Sequence, residues 1–319
     1  MKILAVQNRM GIGDMIIFLP FIEAIAKKYK TPVSILVKEN SKAAEYLSKN
    51  ENIEKIIYLD RNGKNGSHDG VLGALKLVKD LKKHEFEQVY IFNSSLRYYL
   101  IAKMTGIKNI YQYPLFQKKK QHIVNAAKEF IKLKLGEDVQ SNPLINLDDK
   151  KIQAAKKIYR IEDAQINILL GIGGSGPTKR IPAETFITFI EKATQQNNCK
   201  FFLATGSNEE EQNILNGILN SEFKERCIPL DKIKIKETLP IIKNCAIAVC
   251  NDSSFSHLSA ALDIPTIVLL SDTPLMYGSY SPKMYPIIPD GEETVTHDTL
   301  GKERINPEKI FKIFKEILN

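Results

Sequence analysis

Along the chain, short apolar runs alternate with longer stretches whose apolar positions recur every three to four residues, the signature of strands followed by amphipathic helices. Lys2-Ile3-Leu4-Ala5-Val6 reads as a buried parallel strand, and Met15 to Tyr29, apolar at Ile16, Ile17, Leu19, Phe21 and Ile25, as a helix. The pattern continues with strands near 32–37, 54–59 and 87–92 and helices near 40–49, 70–83 and 95–104. A second series has strands near 166–171, 200–205, 225–229, 246–250 and 265–270, and helices near 152–159, 182–195, 208–219, 234–242 and 254–262. This order predicts an α/β protein with two Rossmann-like, doubly wound parallel sheets. Leu135 to Asp149, with Gly136, Asn142 and Pro143, breaks the helical pattern and predicts a boundary between domains 1–149 and 150–319. The loop Arg61 to Gly70, with Gly63, Gly66 and Gly70, is expected to be mobile; a last helix spans Pro307 to Leu318, and the sequence leaves open which domain it packs on.

Composition narrows the class. A length of 319 residues with 43% hydrophobic and 26% charged residues suits two soluble domains of ordinary size. The apolar runs are strand-length, and the first helix carries Glu23, Lys27 and Lys28, so neither a membrane span nor a cleavable signal is expected and the protein is placed in the cytoplasm. Cys199, Cys227, Cys245 and Cys250 form no CxxC and have no nearby histidine pair, so they read as buried structural thiols rather than metal ligands. The net charge of +8 suits an anionic partner, whether a phosphate-bearing small molecule, an anionic lipid surface or nucleic acid. No zinc finger, RNP-type aromatic strand or GXXG clamp is present, so nucleic acid is not expected.

Candidate chemistry gathers where strands give way to helices, the edge at which open α/β sheets bind ligands. Gly11-Ile12-Gly13-Asp14 follows the first strand, but Ile16 stands where a dinucleotide fingerprint needs its third glycine. Asp14 opens a helix, where a carboxylate is favoured and can act as a general base; the simpler reading is an N-cap. Gly171-Ile172-Gly173-Gly174-Ser175-Gly176-Pro177-Thr178-Lys179-Arg180 follows another strand and offers amide N–H groups and two cations to an anion, without being a P-loop. Its simpler reading is a plain flexible loop. Asp252-Ser253-Ser254 provides a second helix edge suited to a diphosphate, with His257 close behind as a structural residue or part of that edge.

Three spacings carry a resemblance: Gly13-Asp14-x5-Pro20, Thr178-Lys179-x-x-Pro182 and Asp252-Ser253-x-x-Ser256-His257-Leu258-x-Ala260-Ala261-Leu262. Together the three motifs resemble the family 9 glycosyltransferases, which include the lipopolysaccharide heptosyltransferases. The resemblance implies the GT-B architecture, two Rossmann-like domains facing a central cleft, with a nucleotide-sugar donor held mainly by the second. It further implies metal-independent transfer with inversion, no cofactor, and ADP-heptose as donor substrate. Asp14 would then be the catalytic base, and Gly173, Gly174, Thr178, Lys179, Asp252, Ser253, Ser254 and His257 would bind donor. Gly13, Arg97 and His122 would serve the acceptor, a lipopolysaccharide core or related oligosaccharide. A lipid-linked acceptor would bring the protein to the inner face of the inner membrane, where Arg97, His122 and Lys118-Lys119-Lys120 could meet acidic groups. The chain departs from the family pattern at Ser253-Ser254, where Thr-Gly is common, at Ile181, where Trp is common, and at Ser271-Asp272-Thr273, where Gly-Pro-Thr is usual. Two other readings fit the same frame: a nucleotide-sugar epimerase or hydrolase, and a non-catalytic sugar-nucleotide binding protein.

Overall fold

The computed structural model describes residues 1–63, 65–115 and 121–318. The lysine run Lys118-Lys119-Lys120 lies outside the described residues. Two compact units divide the chain, Met1–Pro143 and Leu144–Asn319, with the division inside the expected Leu135–Asp149 linker.

In the first unit the order is β1 (Ile3–Gln7), α1 (Ile12–Tyr29), β2 (Val33–Lys38), α2 (Ala44–Leu47), β3 (Ile53–Leu59), α3 (Gly70–Lys82), β4 (Gln88–Ile91), α4 (Leu96–Met104), β5 (Asn109–Gln112) and α5 (Ile123–Leu135). Its strands are all parallel, in the order β3-β2-β1-β4-β5. Alternate side chains of β1 and β4 leave the sheet on opposite sides. Leu4, Val6, Val89 and Ile91 bury against Leu77 and Leu81 of α3 and Tyr98, Ile101 and Ala102 of α4. On the other side Phe92 meets Phe18 of α1 and Phe130 of α5 edge to face, at ring separations of 5.3 and 5.4 Å. Because α1 packs on both β2 and α5, it is apolar around most of its circumference, from Met15 to Ile25.

The second unit runs α6 (Asp149–Ile158), β6 (Ile166–Gly171), α7 (Ala183–Gln196), β7 (Cys199–Ala204), α8 (Glu209–Leu219), β8 (Cys227–Pro229), α9 (Ile235–Lys243), β9 (Ile247–Asn251), α10 (Ser254–Ala261), β10 (Thr266–Leu269), β11 (Met284–Ile287) and α11 (Pro307–Leu318). Its parallel sheet has the order β11-β10-β9-β6-β7-β8. One face carries α7, α8 and α11 over Ile168 and Leu170, with Phe189 and Phe314 in edge contact at 5.4 Å. The last helix therefore belongs to this unit.

Cys199, Cys227, Cys245 and Cys250 are free and buried, and desolvation pushes their thiols up, to about 11 at Cys199 and about 12 at Cys227 and Cys250. The Arg61–Gly70 loop, expected to be mobile, is cross-braced among its described residues. Asp69 Oδ2 accepts from the backbone N–H groups of Asn62, Gly63 and Gly66, and Asp60 accepts from Ser67 N–H at 2.7 Å. None of the helices among the described residues is long and apolar enough to cross a membrane.

Candidate active site

Each sheet has a topological switch point, where two neighbouring strands send their chains to opposite faces and leave a crevice at the carboxyl edge. In the first unit the strands are β1 and β4, whose following loops are joined by Asn93 Nδ2 donating to Asn8 Oδ1 at 3.0 Å. Gly11 is the N-cap residue of α1 with φ 98°, a conformation that favours glycine. Asp14 thus lies inside the first turn and is not the N-cap, which removes the simpler reading of that residue. Its carboxylate is 17% exposed and paired with Arg9 Nε at 3.1 Å. Gln7, the last residue of β1, is buried with neither amide atom hydrogen-bonded among the described residues.

The other two acceptor candidates are engaged in structure. Arg97 donates to the backbone carbonyls of His68 at 2.6 Å and Gly70 at 2.7 Å, bracing the first turn of α4 against that of α3. His122 is the N-cap of α5, its Nδ1 accepting from Val124 N–H at 3.3 Å. Gly13 sits beside Asp14 in the opening turn of α1.

In the second unit the switch lies at β6 and β9, which pair in parallel. Their loops bring together side chains 73 positions apart: Lys179 Nζ donates to Asp252 Oδ2 at 2.6 Å. Asp252 is 6% exposed. Burial is the largest single influence and raises its pKa, but the Lys179 ammonium, with His257 and hydrogen bonds from Lys179 and Thr273, together hold the carboxyl below its ordinary value. His257 Nε2 lies 3.8 Å from Asp252 Oδ1, and Nδ1 is 2.9 Å from the Tyr280 hydroxyl, with the two rings stacked. Desolvation pulls His257 down to about 4 against the attraction of Asp252, so the imidazole is neutral at pH 7. The charge that keeps Asp252 ionised is therefore that of Lys179. Tyr280, pushed far above its ordinary value by burial, keeps its proton and shares a hydrogen bond with His257 Nδ1.

The glycine-rich loop is not a plain flexible one. Gly174 N–H donates to Glu211 Oε1 at 2.8 Å, and Arg180 Nε closes back on Gly174 O at 3.0 Å. Glu211 is buried in the first turn of α8, where its own N–H is capped by Asn208 Oδ1 at 3.0 Å and Asn208 Nδ2 donates to its carboxylate. A Cβ at Gly173 would come within 2.5 Å of Glu211 Oε1, so a side chain there would displace the Glu211 carboxylate. The Gly174 amide expected to meet a phosphate is thus taken by a resident carboxylate. Thr178 is held through its carbonyl, which accepts from Ser271 Oγ at 2.8 Å. Ser253 is the N-cap of α10 and Ser254 its first residue. Thr205 Oγ1, Asn251 Oδ1 and Ser253 Oγ, all at the ends of β7 and β9, are buried and have no hydrogen-bond partner among the described residues. Polar atoms of this kind, left unpaired beside a buried ion pair, suit a polar ligand. Among the described residues no group of three or more His, Cys, Asp or Glu could hold a metal ion.

Three residues of these edges escape sequence reasoning. Glu211 had a readable signal, the capping box Asn208-x-x-Glu211. Arg9 stands five positions before Asp14 in a loop without periodicity, and Tyr280 follows His257 by 23 residues with no local pattern to mark it.

The chain is 29% identical over 116 residues to lipooligosaccharide heptosyltransferase 2 of Haemophilus influenzae, covering 36% of this chain and 32% of that protein. It is 23% identical over 181 residues to lipopolysaccharide heptosyltransferase 1 of Campylobacter coli, covering 54% of this chain and 53% of the relative. Both alignments thus span little more than half the relatives' length or less. The solved structure of E. coli ADP-heptose LPS heptosyltransferase II matches over 100% of this chain and 98% of its own, with a TM-score of 0.75 at 18% identity, so the two share the fold of two parallel-sheet α/β domains, the GT-B architecture. The model of glycosyltransferase family 9 (heptosyltransferase) matches residues 74–298, which contain the Lys179–Asp252 edge but not Asp14. With more than half of its length inside that match, the chain belongs to glycosyltransferase family 9.

Proposed function

We propose that this protein is an inverting glycosyltransferase that moves heptose from ADP-heptose to a lipopolysaccharide core or related glycan. The observation that carries the reading is the second switch point, where a cation, a buried carboxylate and unpaired polar atoms converge at the α10 edge. Lys179 neutralises the diphosphate of the donor, helped by Ser253 and Ser254 at the helix start. Asp252 accepts hydrogen bonds from sugar hydroxyls, fixed in place by Lys179 on one oxygen and the His257 ring by the other. In the reaction the acceptor oxygen bonds to the anomeric carbon as the bond to the diphosphate oxygen breaks. Asp14 takes the hydroxyl proton, and nucleoside diphosphate leaves with the pair of electrons. A single displacement of this kind inverts the anomeric centre. No cofactor enters this scheme, and the donor is a substrate. The names of the relatives support heptose, ADP and a lipopolysaccharide acceptor.

A nucleotide-sugar screen by thermal shift tests the proposal. A donor present at about 100 times its Kd adds about 2.7 kcal/mol of stability. ADP-heptose is expected to raise the melting temperature and to be consumed only with a glycan acceptor present. Consumption of a donor with no acceptor would instead identify an epimerase or hydrolase, and binding without turnover a sugar-nucleotide binding protein.

A further inference from the structure

Among the described residues, six other than glycine have a positive φ. Five of them, Lys30, Lys42, Glu85, Arg160 and Asp263, follow the end of a helix, where left-handed residues are common. Leu300, at φ 48°, does not: it lies between β11 and α11, and its side chain is 63% exposed. The left-handed conformation is costly for a leucine, and glycine or asparagine adopts it more readily. Burial of the side chain does not offset that cost, so the fold gives no reason for a leucine at this position.

The turn that holds Leu300 is built against the donor edge. Asp272, 6% exposed, accepts from Leu300 N–H through Oδ1 at 2.9 Å, and Gly301 N–H donates to Ser271 O at 2.9 Å. Gly301 lies so close to Pro289 that a Cβ there would overlap the proline ring. Just upstream, Thr299 Oγ1 accepts from Thr296 N–H at 2.9 Å. The residues that fix the turn also reach the site: Ser271 Oγ donates to Thr178 O, beside Lys179, and Thr273 helps to hold the Asp252 carboxyl ionised. Ser271 and Asp272 stand where Gly-Pro is usual, and neither glycine nor proline has a side chain that could make these two contacts.

We propose that Leu300 is a specificity-determining residue of the donor site, its side chain packing on the C–H face of the transferred sugar while Asp252 meets the hydroxyls, and that Asp272 is the positioning residue that holds it there. The inference rests on the donor reading above. β10 flanks β9 on the side away from β6 and β7. With the diphosphate between Lys179 and the start of α10, a sugar bonded to Asp252 therefore lies toward the β10 end and the Leu300 turn, and the nucleoside toward β7. A sugar presents C–H groups between its hydroxyls, so a carboxylate paired with one apolar side chain matches it chemically. The strained backbone then has a use, since it turns an apolar side chain out of the fold beside the ligand.

Calorimetric titration of the full chain with ADP and with ADP-heptose, beside a thermal melt, tests the assignment. Leu300→Gly should raise the melting temperature by about 2–4 °C through release of the left-handed strain. The same variant should bind ADP-heptose about tenfold more weakly and ADP as the wild type does, because one apolar contact with the sugar is gone. Stability gained together with sugar affinity lost is a result that a merely structural residue would not give. Leu300→Ala should lose the same affinity without the gain in melting temperature. Asp272→Asn keeps an oxygen for Leu300 N–H and should bind as the wild type, whereas Asp272→Ala should reproduce the loss for ADP-heptose. Glycine and alanine variants of Leu300 that bind ADP-heptose normally overturn the inference while leaving the donor reading intact, and an equal loss for ADP and ADP-heptose overturns it as a sugar contact. A wild type that binds neither compound overturns the donor reading, and this inference with it.

Discussion

Asp14 and Asp252 stand at matching switch points of two sheets wound in the same order, yet their surroundings differ. Asp14 is 17% exposed and its partner Arg9 44% exposed, an ion pair within reach of solvent. Asp252 is 6% exposed and held by Lys179 at 2.6 Å, with a neutral histidine and a protonated tyrosine behind it. Pairs near solvent contribute about 0–1 kcal/mol, whereas removing one member of a buried pair costs about 3–5 kcal/mol. The pair at Asp14 is thus nearer solvent than the one at Asp252. The second is fixed in charge and position, which suits recognition of a sugar.

Substitutions that treat the two carboxylates alike can break this contrast. Asp14→Asn should lower single-turnover sugar transfer by about 10²–10⁴-fold with little change in melting temperature or donor affinity. Full activity in that variant would remove Asp14 from the chemistry, and a large loss of stability would show that the first edge is as structural as the second. Lys179→Ala should cost about 3 kcal/mol in denaturant unfolding, at the low end of the buried-pair range because Lys179 is 22% exposed. It should also weaken donor binding. Adding Asp252→Asn should restore much of the stability but not the binding; a Lys179→Ala protein of normal stability would place Asp252 in a wetter setting than the geometry gives.

A smaller effect follows from His257. Its folded value of about 4 lies below the ordinary 6.5, so between these values the unfolded chain binds more protons than the folded one. Stability should thus be intact above about 6.5, fall by on the order of 3 kcal/mol as pH drops toward about 4, and level off below. Asp252, whose value is depressed, acts lower: its contribution is present above the ordinary carboxylate value and is lost as pH falls through the folded one. Comparing urea midpoints of wild type and His257→Gln across pH 4–7 isolates the histidine, since the variant should lack the slope in that window. Equal slopes would mean that the imidazole titrates normally.

Buried central strands and long helices were readable because burial on both faces leaves continuous apolar runs. The edge strands β5 and β11 were not. Asn109–Gln112 is half-exposed and Met284–Ile287 includes Pro286, so neither shows the apolar run that marks a central strand. The helix expected near 40–49 shrinks to Ala44–Leu47 because the chain first turns through Lys42 at φ 48°. At the site, each motif was visible at the end of its own strand, but the contact of Lys179 with Asp252 depends on β6 lying beside β9, a neighbourhood that the order of elements along the chain does not state. Arg97 carries a further contact that its place after a strand does not reveal: its guanidinium donates to the backbone carbonyls of His68 and Gly70, far along the chain.

The four native thiols carry a practical consequence. With desolvation holding Cys199, Cys227, Cys245 and Cys250 well above neutral pH in the protonated, unreactive form, maleimide and similar thiolate-seeking probes should pass them by. A single substitution at an exposed position, such as Leu72→Cys, would then create one addressable handle without first stripping out the natural cysteines. An environment-sensitive dye on that handle could report, in real time and on the otherwise unaltered chain, the polarity that α3 experiences.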